Sequence, residues 1–310
     1  MTTSRSPAVS PQTAAVGAVL VVAAAALFGT IGTARALGPD APALPVAAAR
    51  SALACVLLAV VPLLMARRRG AERQLSVGAG VRLAFRTRAV WIAAVGQALF
   101  QWCFLAAIPR VGVAVGTLVA IGLTPVVTGA LSRHVDRVWM LATGIGLAGL
   151  VLLIGFSPVQ DTAGLLLALG ASAAYGIYLL AGSGLADARA RDGLSLDTAL
   201  AVVFSIAAVG LLLPALATGP WAWLTTQSGI AMIVYLAVLP TLVAYHLLGT
   251  GLHSVSASTA STLGLTEPVV GTALGVLVLD ERLGLVSALG ALLVLTAVLV
   301  LVRAPTARAP

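Results

Sequence analysis

Apolar positions along this chain gather into ten blocks of about twenty residues, each long enough to cross a hydrocarbon layer as an α-helix. The blocks cover roughly 14–34, 44–66, 89–108, 111–131, 138–156, 163–182, 197–217, 229–249, 254–278 and 284–302. Most carry no charge; Arg50 and Glu267 are the exceptions. The pattern predicts an all-α integral membrane protein with ten transmembrane helices. No small-residue cleavage site with a soluble domain behind it follows the first block, so it is read as a span and not as a signal peptide. The longest interior connection, about 67–88, is basic and holds Val77, Val81, Leu83 and Phe85. It reads as a topogenic loop or as a short amphipathic turn along the headgroups.

Two local echoes divide the chain. Pro125 opens PVVTGAL and Pro268 opens PVVGTAL, 143 residues later; Ala26-Leu27-Phe28-Gly29 is answered by Ala173-Ala174-Tyr175-Gly176 at an offset of 147. Two echoes at nearly one offset predict an internal duplication with its seam near Ser157-Pro158-Val159-Gln160-Asp161. The expected organisation is a cytoplasmic tail over 1–12, a five-helix repeat over 13–157, a second over 158–303, and a tail over 304–310. Five is odd, so the second copy crosses the membrane in the opposite sense, giving two inverted five-helix repeats. Inverted repeats place a binding site near the bilayer midplane and reach it from alternate sides by rocking one half against the other.

Composition supports lipid as the solvent: 60% of residues are apolar and 9% charged, against about 25% charged in a soluble domain. The net charge of +8 would suit nucleic acid, but its distribution rejects that partner. Fourteen of the 18 basic residues fall in alternate segments (Arg5, Arg67 to Arg88, Arg133 and Arg137, Arg189 and Arg191, Arg303 and Arg308). Positive residues favour the cytoplasmic side, which predicts a multi-pass protein of the inner (plasma) membrane with both termini cytoplasmic. Cys55 and Cys103 fall within predicted helices and act there as small apolar fillers.

Glu267, deep in the ninth span, is the strongest chemical candidate, because a carboxylate at membrane depth costs several kcal/mol unless paired, solvated or protonated. It either serves a substrate or coupling site or braces the adjacent proline. Pro125 and Pro268 each leave a carbonyl one turn earlier without its amide donor and predict helix breaks that expose backbone to a cavity. Arg50 either attracts an anionic group or extends to the headgroups. The third span carries Gln97 and Gln101 on one face, with Trp102 beside them; the eighth, its counterpart, carries Thr241, Tyr245 and His246. These stripes serve as interhelical glue or as opposite walls of one cavity. Phe28 and Tyr175, with Tyr178, hold matching places in the first and sixth spans, as gate or as packing. Gly112-x-x-x-Gly116 and the run Ser256, Ser258, Ser261, Thr262 suit close helix packing. Catalytic and metal signatures (HExxH, paired aspartates, a Walker loop, Cys/His spacings) are absent from the sequence, so neither an enzyme nor a cofactor is expected.

Glu267-Pro268-Val269-Val270, followed by Leu279-Asp280-Glu281-Arg282-Leu283 and by Gly290 in the last span, resembles the EamA type of the drug/metabolite transporter superfamily. Phe28-Gly29 is similar to its aromatic-glycine pair, and Arg50 to an arginine opening its second helix. The motif transfers to Glu281; the first repeat departs from it at Ser132-Arg133-His134-Val135-Asp136-Arg137. The resemblance implies secondary-active export of small organic solutes by alternating access: amino acids, related metabolites or toxic compounds. Metabolite uptake, an intramembrane enzyme and a non-transporting scaffold are the alternatives. The partners implied are a small-molecule substrate and the lipid bilayer, with a homodimer left open.

Overall fold

The computed structural model describes residues 10–68, 77–132, 135–155 and 161–303. The tails 1–9 and 304–310, most of the seam at 157–160, the basic stretch 69–76, and Arg133 and His134 lie outside the described residues. Thirteen α-helices make up the rest: α1 (Pro11–Leu37), α2 (Ala43–Arg68), α3 (Val77–Arg86), α4 (Arg88–Gly122), α5 (Thr124–Leu131), α6 (Arg137–Ile154), α7 (Thr162–Asp192), α8 (Leu196–Ala217), α9 (Gln227–Ala237), α10 (Ala244–Gly251), α11 (Ala257–Leu263), α12 (Thr266–Val278) and α13 (Leu285–Arg303). Among the described residues they form nine apolar stretches long enough to span a bilayer.

The longest of these stretches, Arg88–Leu131, is two expected spans run together. Gly112 breaks it with φ 80 and ψ 162, just after Pro109. A Cβ placed on Gly116 would lie 3.9 Å from the Cα of Ile108. Eight residues of straight helix would separate the two by about 12 Å, so the chain doubles back there. The expected third and fourth spans are the two arms of this hairpin.

Proline sets the other breaks. Pro125 follows the interruption at Leu123 that separates α4 from α5. Pro268 sits in the first turn of α12; the carbonyl of Gly264, which it cannot serve, accepts from the Glu267 amide at 3.0 Å. Pro240 lies in a π-helical stretch, Val238–Val243, that joins α9 to α10. There the carbonyl of Leu236 accepts from the Thr241 hydroxyl at 2.7 Å instead. Ser10, Asp136, Asp161, Ser195, Thr226 and Ser256 cap the starts of their helices with side-chain oxygens. Such a cap satisfies one of the free amides at a helix start, and replacing it by alanine costs about 1 kcal/mol.

Neighbouring helices repeat their pairing. α1 lies on α10 and α12, α5 and α4 lie on α7, α2 lies on α9 and α8, α4 also touches α8, and α6 lies on α13. Exchanging each first-half helix for its second-half counterpart turns this set into itself, which is the pattern of two repeats. The sequence echoes meet physically as well. A Cβ on Gly29 would come 2.8 Å from Val270 Cβ, and one on Gly176 would come 2.9 Å from Val127 Cγ1. Each aromatic-glycine pair therefore receives the proline segment of the other copy. α6 and α13 close just as tightly, since a Cβ on Gly149 would lie 2.7 Å from the Gly290 carbonyl.

Buried hydroxyls tie the copies together. Thr128 bonds Ser261 at 2.7 Å and Thr143 bonds Thr262 at 2.8 Å, while the Trp139 indole donates to the Ser258 carbonyl at 2.9 Å. Within the 67–88 connection α3 is an amphipathic helix, and 69–76 lie outside the described residues.

Candidate functional site

Helix breaks and crossings leave a cavity of 630 Å³ between the halves, within the range of about 300–1,000 Å³ that holds small organic ligands. α1 contributes Phe28, Gly29 and Arg35; α2 contributes Arg50; α4 contributes Phe100, Gln101 and Phe104; α7, α10 and α12 contribute Tyr175, Tyr245, Glu267 and Pro268. Its wall reaches Ala36, Pro109 and Val113 at one end of the bundle. At the other end Tyr178, Phe204 and Leu179 are buried and close it.

Tyr245 forms the floor. Its ring meets Phe28 at 4.9 Å, Phe204 at 4.8 Å and Tyr178 at 5.7 Å, all edge-on, the arrangement aromatic quadrupoles prefer. Its hydroxyl accepts from Gln97 Nε2 at 2.7 Å. Gln97 is fully buried behind that floor. One turn along α4, Gln101 Oε1 accepts from Arg50 Nη2 at 2.8 Å. Among the described residues Gln101 Nε2 and Gln97 Oε1 are both buried without a partner. Phe100 stacks on Tyr175 at 4.8 Å and on Phe104 at 5.7 Å, giving the cavity an aromatic wall.

The break at Gly264 and Leu265 starts a new helix, so Glu267 falls in the first turn of α12. A carboxylate there meets the positive end of the helix dipole. Gly29 allows the approach: a Cβ on it would lie 2.6 Å from the Glu267 carbonyl. Among the described residues Glu267 has no side-chain hydrogen bond and no ion pair. Arg50 has no ion pair either, although both side chains line the cavity.

Seven of the residues singled out in the sequence converge on or directly behind this cavity: Glu267, Arg50, Gln97, Gln101, Tyr175, Tyr245 and Pro268. Four do not. Trp102 is 47% exposed on the outer face of α4, because a residue next to Gln101 is turned about 100° away from it. The same rotation turns His246 away from Tyr245: its Nδ1 lies 3.0 Å from Asp197 Oδ1, half-exposed against the start of α8. The expected pair of walls is therefore Gln101 and Tyr245, without His246. Pro125 breaks its helix outside the lining, and Glu281 lies beyond α12. There its amide donates to the Gly275 carbonyl at 3.1 Å, in a turn where Asp280 takes φ 56. Sequence reasoning missed Arg35, whose Nη2 donates to the Ala41 carbonyl at 2.9 Å while the side chain lines the cavity. Its signal was a charge one residue past the expected end of the first span.

An all-α membrane bundle of two inverted halves, with charges of both signs around a cavity between them, is an architecture found in membrane transporters. The chain belongs to the EamA-like transporter family, whose match covers residues 162–303. The uncharacterized transporter YwfM of Bacillus subtilis (strain 168) is 34% identical over 297 residues, covering 93% of this chain and 94% of that protein. The threonine/homoserine exporter RhtA of Escherichia coli (strain K12) is 32% identical over 178 residues, covering 55% of this chain and 57% of RhtA. A solved crystal structure shares the fold with a TM-score of 0.75 at 18% identity, over 92% of this chain and 95% of that one. The protein is thus a multi-pass membrane transporter, and both named relatives are transporters.

Proposed function

We propose that this protein is a secondary-active exporter of small organic solutes, amino acids and related metabolites among them, working by alternating access in the inner membrane. The observation that carries the reading is the cavity with Arg50 and Glu267 on its wall, built from helices of both halves. Charges at that depth are costly and mark substrate or ion pathways. The repeats 13–157 and 158–303 are the moving halves, and rocking one against the other would open the Tyr245 floor while closing the Arg35 end. Outward direction is supported by the likeness to RhtA, a threonine/homoserine exporter that matches just over half of this chain. The arginine distribution supports cytoplasmic termini, and with that orientation the cavity faces outward in this conformation. The deciding experiment compares metabolites in culture supernatants of deletion and overexpression strains. Export predicts amino acids or related solutes enriched outside on overexpression; depletion from the medium instead would establish uptake.

A further inference from the structure

Arg50 and Glu267 face one cavity and are not paired to each other among the described residues. A guanidinium and a carboxylate in a low-dielectric space attract strongly, and two such groups left apart ask for something between them. Arg50 spends a hydrogen bond on a neutral acceptor, Gln101 Oε1, which fixes the guanidinium against the α4 wall. Gln101 is 3% exposed and its Nε2 donor is unpartnered. Where it lines the cavity, the α2–α4 wall therefore offers the Arg50 guanidinium without a carboxylate, Gln97 Oε1 lying behind the floor, whereas the α12 wall holds a carboxylate without a donor among the described residues. A molecule with a carboxylate at one end and an ammonium at the other satisfies both walls at once.

The rest of the lining sets the side chain. Phe28, Phe100, Phe104, Leu105, Ile108 and Ile121 leave Thr117 as the cavity's lone aliphatic hydroxyl. Besides Thr117, only Arg35 and the phenols of Tyr175 and Tyr245 could meet a side-chain hydroxyl in this lining, so a large apolar side chain gains more from the wall than a small hydroxylated one. We propose that the cavity takes a free α-amino acid with a large apolar side chain, its carboxylate on Arg50 and its ammonium at Glu267. This rests on the transporter reading above and narrows it, away from the small hydroxylated amino acids in RhtA's name. Gln101 acts as a positioning residue for Arg50 through its Oε1.

The test uses the full chain in liposomes loaded with unlabelled amino acid, following entry of labelled phenylalanine, leucine and threonine. Competition is measured with 2-phenylethylamine, which lacks the carboxylate, and 3-phenylpropanoate, which lacks the ammonium. Phenylalanine and leucine should outcompete threonine by about tenfold or more, the discrimination a few methylenes give in an apolar pocket. Each single-charge analogue should compete far more weakly than phenylalanine. Arg50→Gln should bring phenylalanine and 2-phenylethylamine together, and Glu267→Gln should do the same for phenylalanine and 3-phenylpropanoate. Gln101→Glu, which adds a carboxylate beside Arg50, should weaken phenylalanine and spare 2-phenylethylamine. Threonine matching phenylalanine, or single-charge analogues matching it in wild type, overturns the proposal and leaves the transporter reading standing. If no amino acid enters while the reconstituted protein moves another solute, the amino-acid reading itself falls. The wild-type analogue series decides the matter even where a variant fails to fold.

Discussion

Gln97 donates to the hydroxyl of Tyr245 across 2.7 Å and 148 residues of sequence. The separation nearly equals the repeat offset, so the bond joins almost equivalent positions in the third and eighth spans. It crosses the interface between the halves at the cavity floor, where alternating access must make and break contacts.

Tyr245→Phe removes the acceptor and leaves Gln97 Nε2 buried without a partner, beside an Oε1 that already lacks one. The expected loss is about 1–3 kcal/mol, read as a lower melting midpoint of purified protein, with slower transport per folded molecule. His246→Ala, one residue along, turns towards Asp197 and should leave transport rates at the wild-type level. Equal effects from the two variants would refute the assignment of the floor.

Glu267→Gln keeps the shape of the side chain but cannot take up and release a proton. The variant should insert and fold normally, lose transport driven by a pH gradient, and retain exchange between identical substrates only at concentrations high enough to offset its weakened affinity. Liposomes with and without the gradient separate these activities. Full gradient-driven transport by the variant would remove Glu267 from coupling; poor folding with normal transport per molecule would make it a structural brace.

The α6–α13 contact depends on absent side chains. Gly149→Val would drive a Cβ to 2.7 Å from the Gly290 carbonyl and 2.8 Å from Leu293 Cβ. Overpacking of this kind costs about 1–3 kcal/mol. Thermal unfolding in detergent should show that loss, while substrate affinity stays unchanged because neither helix lines the cavity.

Asp161 caps α7 through the Gly164 amide and bonds Arg110 at 3.3 Å. The backbone amide, then Arg110, hold its carboxyl below the ordinary 3.8. A depressed folded value means stability present above the unfolded value and lost as pH falls through the folded one. The melting midpoint of Asp161→Ala should lie below wild type at neutral pH and converge with it as pH falls through the depressed folded value of the carboxyl. A gap that widens on acidification would contradict this.

Reporter fusions after Arg88, Pro158 and Pro220 should read inside, outside and outside. A fusion at residue 310 reporting an external C-terminus would rule out the orientation from which the outward-facing cavity is argued.

The apolar blocks, the breaks at Pro125 and Pro268, and the two echoes were legible in the chain because each is local. A membrane helix must satisfy its own backbone, so length and apolarity announce it, and a proline breaks it wherever it falls. The family resemblance followed from the same short words. Hidden from the sequence was which face of each helix meets the other half. Lipid and the interior of a membrane protein are almost equally apolar, so a span carries little of the inside-outside contrast that orients a helix in water. Gln101 and Trp102, or Tyr245 and His246, are neighbours in sequence that only packing sends to opposite fates. Tertiary structure alone brought Gly29 against Val270, set Arg50 beside Gln101, and left Glu267 facing the same cavity unpaired.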